Sequence, residues 1–178
     1  CQLFVMPVRV AFAVTYLQIL LAVCFHAPGE PLASLYAALV QHDSYWFMNI
    51  INRGYRTIVP PAYQKVMEVS NFAFFPAYPA IAALLRHVFS INSGTALLIT
   101  AQFAAWGFWS YFFLFCHRWN VSPVLQVGGT LLILTHPASF FLVAAYSESL
   151  FLAALLCFLS VCTDTARPAQ CRAAFPAI

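Results

Sequence analysis

Residues 72–91 read FAFFPAYPAIAALLRHVFSI, a run apolar enough to cross a membrane, yet Pro76, Pro79, Arg86 and His87 fall inside it. An arginine at the centre of a span costs roughly 2.5–3.5 kcal/mol on insertion scales, and a proline inside a helix removes a hydrogen bond and clashes with the preceding turn. The stretch therefore reads as an interfacial or re-entrant helix, not as a full crossing. This reading fixes the parity of the chain. If 72–91 stays on one side, Asp43 and Glu148 lie on the same face of the membrane; if it crosses, they lie on opposite faces.

The flanking runs are easier to read. Crossing a hydrocarbon core of about 30 Å takes about 20 apolar residues at 1.5 Å each. Leu3–Phe25, Gly94–Cys116 and Pro123–Ala144 meet that length, and Ser149–Cys162 is short but extends back to residue 147. The expected fold is an all-α integral membrane protein with about four transmembrane helices, over 3–25, 94–116, 123–144 and 147–162. The outer loop covers 26–92, and a polar cytoplasmic tail covers 163–178. With a cytoplasmic N-terminus, Arg118, Arg167 and Arg172 fall inside, as the positive-inside rule expects. Leu3–Phe25 has no small-residue cleavage site and carries Arg9, so it reads as a retained span and not a signal peptide. Within the outer loop, Leu39–Tyr55 alternates apolar and polar residues as an amphipathic helix lying on the membrane would. Pro60-Pro61 and the mixed run Tyr63–Ser70 read as a connector.

Composition agrees with a lipid-solvated chain. Of 178 residues, 63% are hydrophobic and 7% charged, against about 25% charged in soluble domains. The net charge of +3 is spread thinly, so there is no basic stripe to neutralise a run of phosphates, and nucleic acid is excluded as a partner. The six cysteines sit in or beside apolar runs without a CxxC pair, and no two histidines are four apart. Neither a disulfide framework nor a zinc site is expected.

Only five carboxylates exist. Glu30, Glu68 and Asp164 read as solvated loop residues. Asp43 lies between His42 and an aromatic cluster that can exclude water and so raise a carboxylate toward a useful base; as the residue before a helix, it is equally a natural N-cap. Glu148 sits in the polar knot Ala144-Ala145-Tyr146-Ser147-Glu148-Ser149 between two apolar runs. It is either a functional group at membrane depth or part of a helix cap and turn in which Ser147 and Ser149 satisfy backbone groups at the membrane edge. Arg86 is a cation suited to holding an anion at the interface, or a side chain snorkelling to headgroups. His136 precedes Pro137 and can break the third span.

Four motifs in order carry a resemblance. His42-Asp43 precedes an aromatic helix ending at Gly54-Tyr55, followed by Phe74-Phe75-Pro76-Ala77-Tyr78-Pro79. Then come Pro137-Ala138-Ser139-Phe140-Phe141 and Tyr146-Ser147-Glu148-Ser149-Leu150-Phe151. Over about residues 1–162 this set resembles the PIG-V-like (GPI mannosyltransferase 2-like) family of the glycosyltransferase C superfamily.

The resemblance implies a multi-span enzyme of GPI-anchor-type biosynthesis. Such an enzyme transfers a sugar, mannose in this family, from a polyprenyl-phosphate donor to a lipid-linked or other extracytoplasmic acceptor, with inversion. The family's essential aspartate in the first outer loop matches Asp43, which would take the proton of the attacking hydroxyl. A phosphate leaving group needs cationic or amide donors, and Arg86 is the candidate. His42, Tyr146, Ser147 and Glu148 would bind and orient the substrates. The family usually has tryptophan where His42 stands. It also has further spans, so the chain reads as an N-terminal portion, to be completed by C-terminal spans or a partner subunit. With one loop aspartate and no DxD pair, neither a tightly bound metal nor another cofactor is expected. The active face would be outside the bacterial plasma membrane or in the lumen of the endoplasmic reticulum. A non-catalytic subunit or remnant is the alternative, and what separates the two is whether Asp43 and Glu148 share a cavity with Arg86.

Overall fold

The computed structural model describes residues 2–26, 32–56 and 71–165. Among these, every regular element is helical: α1 (Gln2–His26), α2 (Leu32–Ala37), α3 (Ser44–Arg53), α4 (Ala77–Phe89), α5 (Ser93–Arg118), α6 (Pro123–Thr135) and α7 (Glu148–Thr165). A 3-10 turn over Pro137–Leu142 links the last two. Two helical stretches, Met6–Cys24 and Ser93–Arg118, are long and apolar enough to cross a membrane. The connector over 57–70, Glu30, Glu68 and the tail from residue 166 lie outside the described residues.

Helix α5 is the hub, packed against α1, α3, α4 and α7. Its start is fixed by Asn92, whose Oδ1 accepts from the Thr95 N–H at 2.8 Å, an N-cap that satisfies one orphan donor of the first turn. The half nearest that start is rich in small residues, with Ala96, Ala101 and Ala105 fully buried, which lets neighbouring backbones approach closely. This half shares a core with Leu39, Phe47, Tyr78, Ala144 and Tyr146. Further along, Phe108 and Trp109 form a second core with Ala11, Leu142 and Ala153.

The prolines of the 72–91 stretch start a helix; they do not break one. Pro76 is the cap residue of α4 and Pro79 falls in its first turn, where a helix has no N–H bond to lose. At 13 residues, α4 is about 20 Å long, short of a 30 Å crossing. It turns directly into α5 through Ser90, which adopts the left-handed conformation at φ 53°. The Tyr78 hydroxyl donates to the Leu97 carbonyl at 2.9 Å and ties the two helices together.

Two expectations need correction. The amphipathic helix of the outer loop exists as α3, but its apolar stripe is covered by protein, not laid on lipid. Phe47 and Ile50 are buried, and the Phe47 ring meets Phe74 and Tyr78 edge-on at 5.1 and 4.9 Å. Nor is 123–144 one helix. Helix α6 ends at Thr135, His136 is extended at ψ 134°, and the next residue, Pro137, begins the 3-10 turn. The cause is local: a residue before proline is pushed out of the helical region, and proline has no N–H to continue the ladder. The His136 side chain then accepts from the Ala138 N–H at 3.1 Å, starting the new turn.

The turn is carried inward, and a buried amide network holds it there. Gln18 of α1 donates from Nε2 to the Ser139 carbonyl at 3.0 Å and to the Ser139 hydroxyl at 2.7 Å. Its Oε1 accepts from Trp109 Nε1 at 2.9 Å. All three side chains are buried, so each polar group depends on the others for satisfaction. Gln18→Leu should leave the Trp109 N–H unpaired and cost about 1–3 kcal/mol. Thermal unfolding of the purified variant beside the parent checks this, and an unchanged midpoint would refute the network's role.

Candidate functional site

Two loops distant in sequence are stapled together at the end of the molecule where α3 begins. The Ala145 N–H donates to the Leu39 carbonyl at 3.1 Å, and the Ser44 hydroxyl donates to the Ala145 carbonyl at 2.9 Å. Ser44 is fully buried, as is Ser149, whose hydroxyl donates to the Ala101 carbonyl at 3.0 Å. Each serine directly follows a carboxylate. Asp43-Ser44 and Glu148-Ser149 thus repeat one arrangement, with the hydroxyl tied inward and the preceding carboxylate left exposed.

Asp43 occupies the cap position of α3 but does not cap it. Its backbone is helical at φ −63°, ψ −20°, and its side chain makes no capping hydrogen bond. The carboxylate is therefore available to other partners. His42 before it has φ 46°, in the left-handed region that non-glycine residues enter at a cost and that clusters at functional sites. Its ring is exposed.

The charge of Asp43 acts on Glu148. Glu148 titrates above the ordinary carboxylate value, first because packing around it reduces hydration. Its own N–H and that of Ser147 act in the opposite sense, and the Asp43 charge raises it further. Glu148 is the first residue of α7, ahead of the apolar run, where the positive end of the helix dipole also faces it. The Tyr146 hydroxyl is raised by burial, then by Asp43, then by Glu148. Its ring is buried edge-on against Phe141 at 5.0 Å. Tyr78 is raised too, mainly by burial, with Glu148 adding to it. Asp43, Glu148 and Tyr146 thus form one electrostatic unit, with His42 and Ser147 adjoining it in the chain.

Arg86 is placed elsewhere. Its Nη1 donates to Asn52 Oδ1 at 2.6 Å, and the same oxygen accepts from the Ser93 hydroxyl at 3.0 Å. Asn52 stands nine residues from Asp43 along α3, about 13 Å of rise and two and a half turns, hence at the opposite end and on the opposite side of that helix. The expected meeting of Arg86 with the two carboxylates is not found. His42 remains the nearest residue in sequence to Asp43 that can carry a positive charge.

Ser149 bonds a backbone carbonyl, as the sequence reading of the serines beside Glu148 expects, whereas Ser44 and Asn52 escaped that reading, as did Asn71. This last residue is fully buried and closes the loop after α3. Its Nδ2 donates to the Gly54 carbonyl at 3.1 Å and its Oδ1 accepts from the Arg56 N–H at 2.8 Å. The one signal for Ser44 was its position immediately after a singled-out acid. Among the described residues no group of three His, Cys, Asp or Glu side chains stands close enough to hold a metal ion. Compared with protein-family models, curated proteins and solved structures, the chain matches none.

Asp43→Asn should bring the Glu148 carboxyl part of the way back toward its ordinary value, because the burial contribution stays while the neighbouring charge is removed. Infrared pH titration, with Glu148→Gln to identify the band, measures it. A Glu148 midpoint indifferent to Asp43 would mean that the two acids do not share a field.

Proposed function

We propose that the chain is an integral membrane protein with about four crossings, the third made by α6 together with the 3-10 turn after it, and a polyprenyl-phosphate-sugar-dependent glycosyltransferase of the PIG-V-like kind. In this reading it moves mannose to a lipid-linked or other acceptor on the extracytoplasmic face of the plasma membrane or the endoplasmic reticulum, with inversion. One observation carries the reading. Asp43 and Glu148, far apart in sequence, stand exposed beside the tie that joins residues 39–44 to Ala145, while the serines behind them are locked into the protein.

The chemistry follows from that pairing. Asp43, uncapped and exposed, takes the proton of the acceptor hydroxyl as the hydroxyl attacks the anomeric carbon. Glu148 orients sugar hydroxyls by hydrogen bonding together with the Tyr146 phenol, and Ser147 supports that contact. The leaving phosphate needs donors and not a proton. His42 supplies them beside Asp43, in place of Arg86, which in this reading binds headgroup phosphate at the interface. The donor substrate enters from the membrane, and no bound cofactor takes part.

A second reading, a non-catalytic subunit or a remnant of such an enzyme, is favoured by the separation of Arg86 from the carboxylates. Transfer of labelled mannose from polyprenyl-phosphate mannose, in membranes containing the chain, separates the two. Asp43→Ala should lower transfer by about 10²–10⁴-fold, the usual contribution of a positioned base. His42→Ala should raise KM for the donor more than it lowers kcat, and Arg86→Ala should stay within several-fold of the parent. Transfer indifferent to Asp43→Ala removes Asp43 as the base. No transfer by the parent chain supports the non-catalytic reading.

A further inference from the structure

Trp46 stands one turn along α3 from Asp43. Its N–H donates to the Asp43 carbonyl at 3.0 Å, and the Phe47 N–H donates to the same oxygen at 3.3 Å. A bond between residues three apart is that of a 3-10 turn, in which their side chains eclipse. Helical side chains also lean toward the start of their helix. The Trp46 ring is therefore carried to the side of the exposed Asp43 carboxylate, with the two Cβ atoms about 5–6 Å apart.

The ring is held from behind. It stacks on Phe74, with centroids 6.0 Å apart and planes 20° from parallel. Phe74 meets Phe47 edge-on at 5.1 Å, and Phe47 meets Tyr78 edge-on at 4.9 Å. This row of rings begins at the fully buried Tyr78 and ends at Trp46, which is partly exposed. A ring fixed by its neighbours and still partly exposed is a preorganised surface for a flat ligand. The face of an indole is electron-rich and attracts positively polarised groups, which on a pyranose are the C–H groups gathered on its less polar face. The carboxylate sets the second demand. A hydroxyl whose proton Asp43 takes lies within about 3 Å of it, so the skeleton bearing that hydroxyl reaches the next turn of α3, where Trp46 stands. A sugar ring meets both demands at once, with hydroxyls at its rim and C–H groups on its face. An acyl or prenyl chain has no hydroxyl to offer Asp43, and a serine-type hydroxyl brings no apolar face as broad as the indole.

We propose that Trp46 is the platform on which a sugar ring of the acceptor stacks while one hydroxyl of that ring meets Asp43. The inference deepens the proposed function and rests on Asp43 as its base. The four tryptophans, Trp46, Trp106, Trp109 and Trp119, each give one indole N–H signal in nitrogen-15 NMR of the purified chain, and the Trp46 signal is the one lost in Trp46→Phe. Octyl α-mannopyranoside should shift that signal, whereas 1-O-octylglycerol, which has the same alkyl chain and hydroxyls but no ring, should leave it in place. With octyl α-mannopyranoside as acceptor in the transfer assay, Trp46→Leu should raise the acceptor KM about tenfold and leave the donor KM within about twofold; Trp46→Phe, which keeps an aromatic face, should stay within about threefold of the parent. A Trp46 signal that answers both amphiphiles alike would mark a membrane-interface anchor, and one that answers neither would leave no ligand; each overturns the platform. An acceptor KM unmoved by Trp46→Leu overturns it too, and a rise in donor KM alone would give the ring to the donor sugar and overturn the acceptor assignment. If the parent transfers no mannose, the transferase reading fails by itself, and the indole response alone decides the platform.

Discussion

The contact on which the arrangement depends is the tie between residues 39–44 and residue 145. The Ala145 N–H and carbonyl are both used, by the Leu39 carbonyl and the Ser44 hydroxyl. A buried peptide group satisfied on both sides leaves the two loops no freedom to part without exposing polar backbone in an apolar setting. Everything at that end of the molecule is placed relative to this tie. Helix α3 starts from it, the 3-10 turn leads into it, and α7 leaves from it with Ser149 fixed on α5. A pair of acids can stand exposed there because the residues beside them are immobile.

How far this could be read from the sequence differs by element. The long apolar runs that became α1 and α5 announced themselves, because an unbroken run needs no partner to become a helix in apolar surroundings. At 123–144 two signals disagreed: hydropathy made one continuous span, while His136-Pro137 marked a candidate break, and the backbone preference of that dipeptide prevailed. Amphipathicity located α3 but not what covers it. Periodicity tells which face is apolar, and only the positions of Phe74 and Tyr78 determine that protein covers it.

For the site, residue type located Asp43, Glu148 and Tyr146, since carboxylates are so scarce in this chain that each stands out. Their convergence was not legible, because it is made by serine hydroxyls reaching backbone carbonyls, and any serine can do that. Arg86 shows the converse. Its charge marked it for attention, while its actual partner, Asn52, is a neutral residue whose helix position puts it on the far side of α3.

The Gln18 network has a consequence for the order in which the protein can be completed. Gln18 precedes Trp109 and Ser139 along the chain, the latter by 121 positions. At about 5–20 residues per second of synthesis, its amide is made about 6–24 s before its last partner. Throughout that interval α1 carries a polar group that its own apolar neighbours cannot satisfy, so until then the amide has to be met by water or by another segment. Only when the turn after α6 arrives does that amide have the last of its permanent partners, so α1, though made early, is among the last elements to be finished.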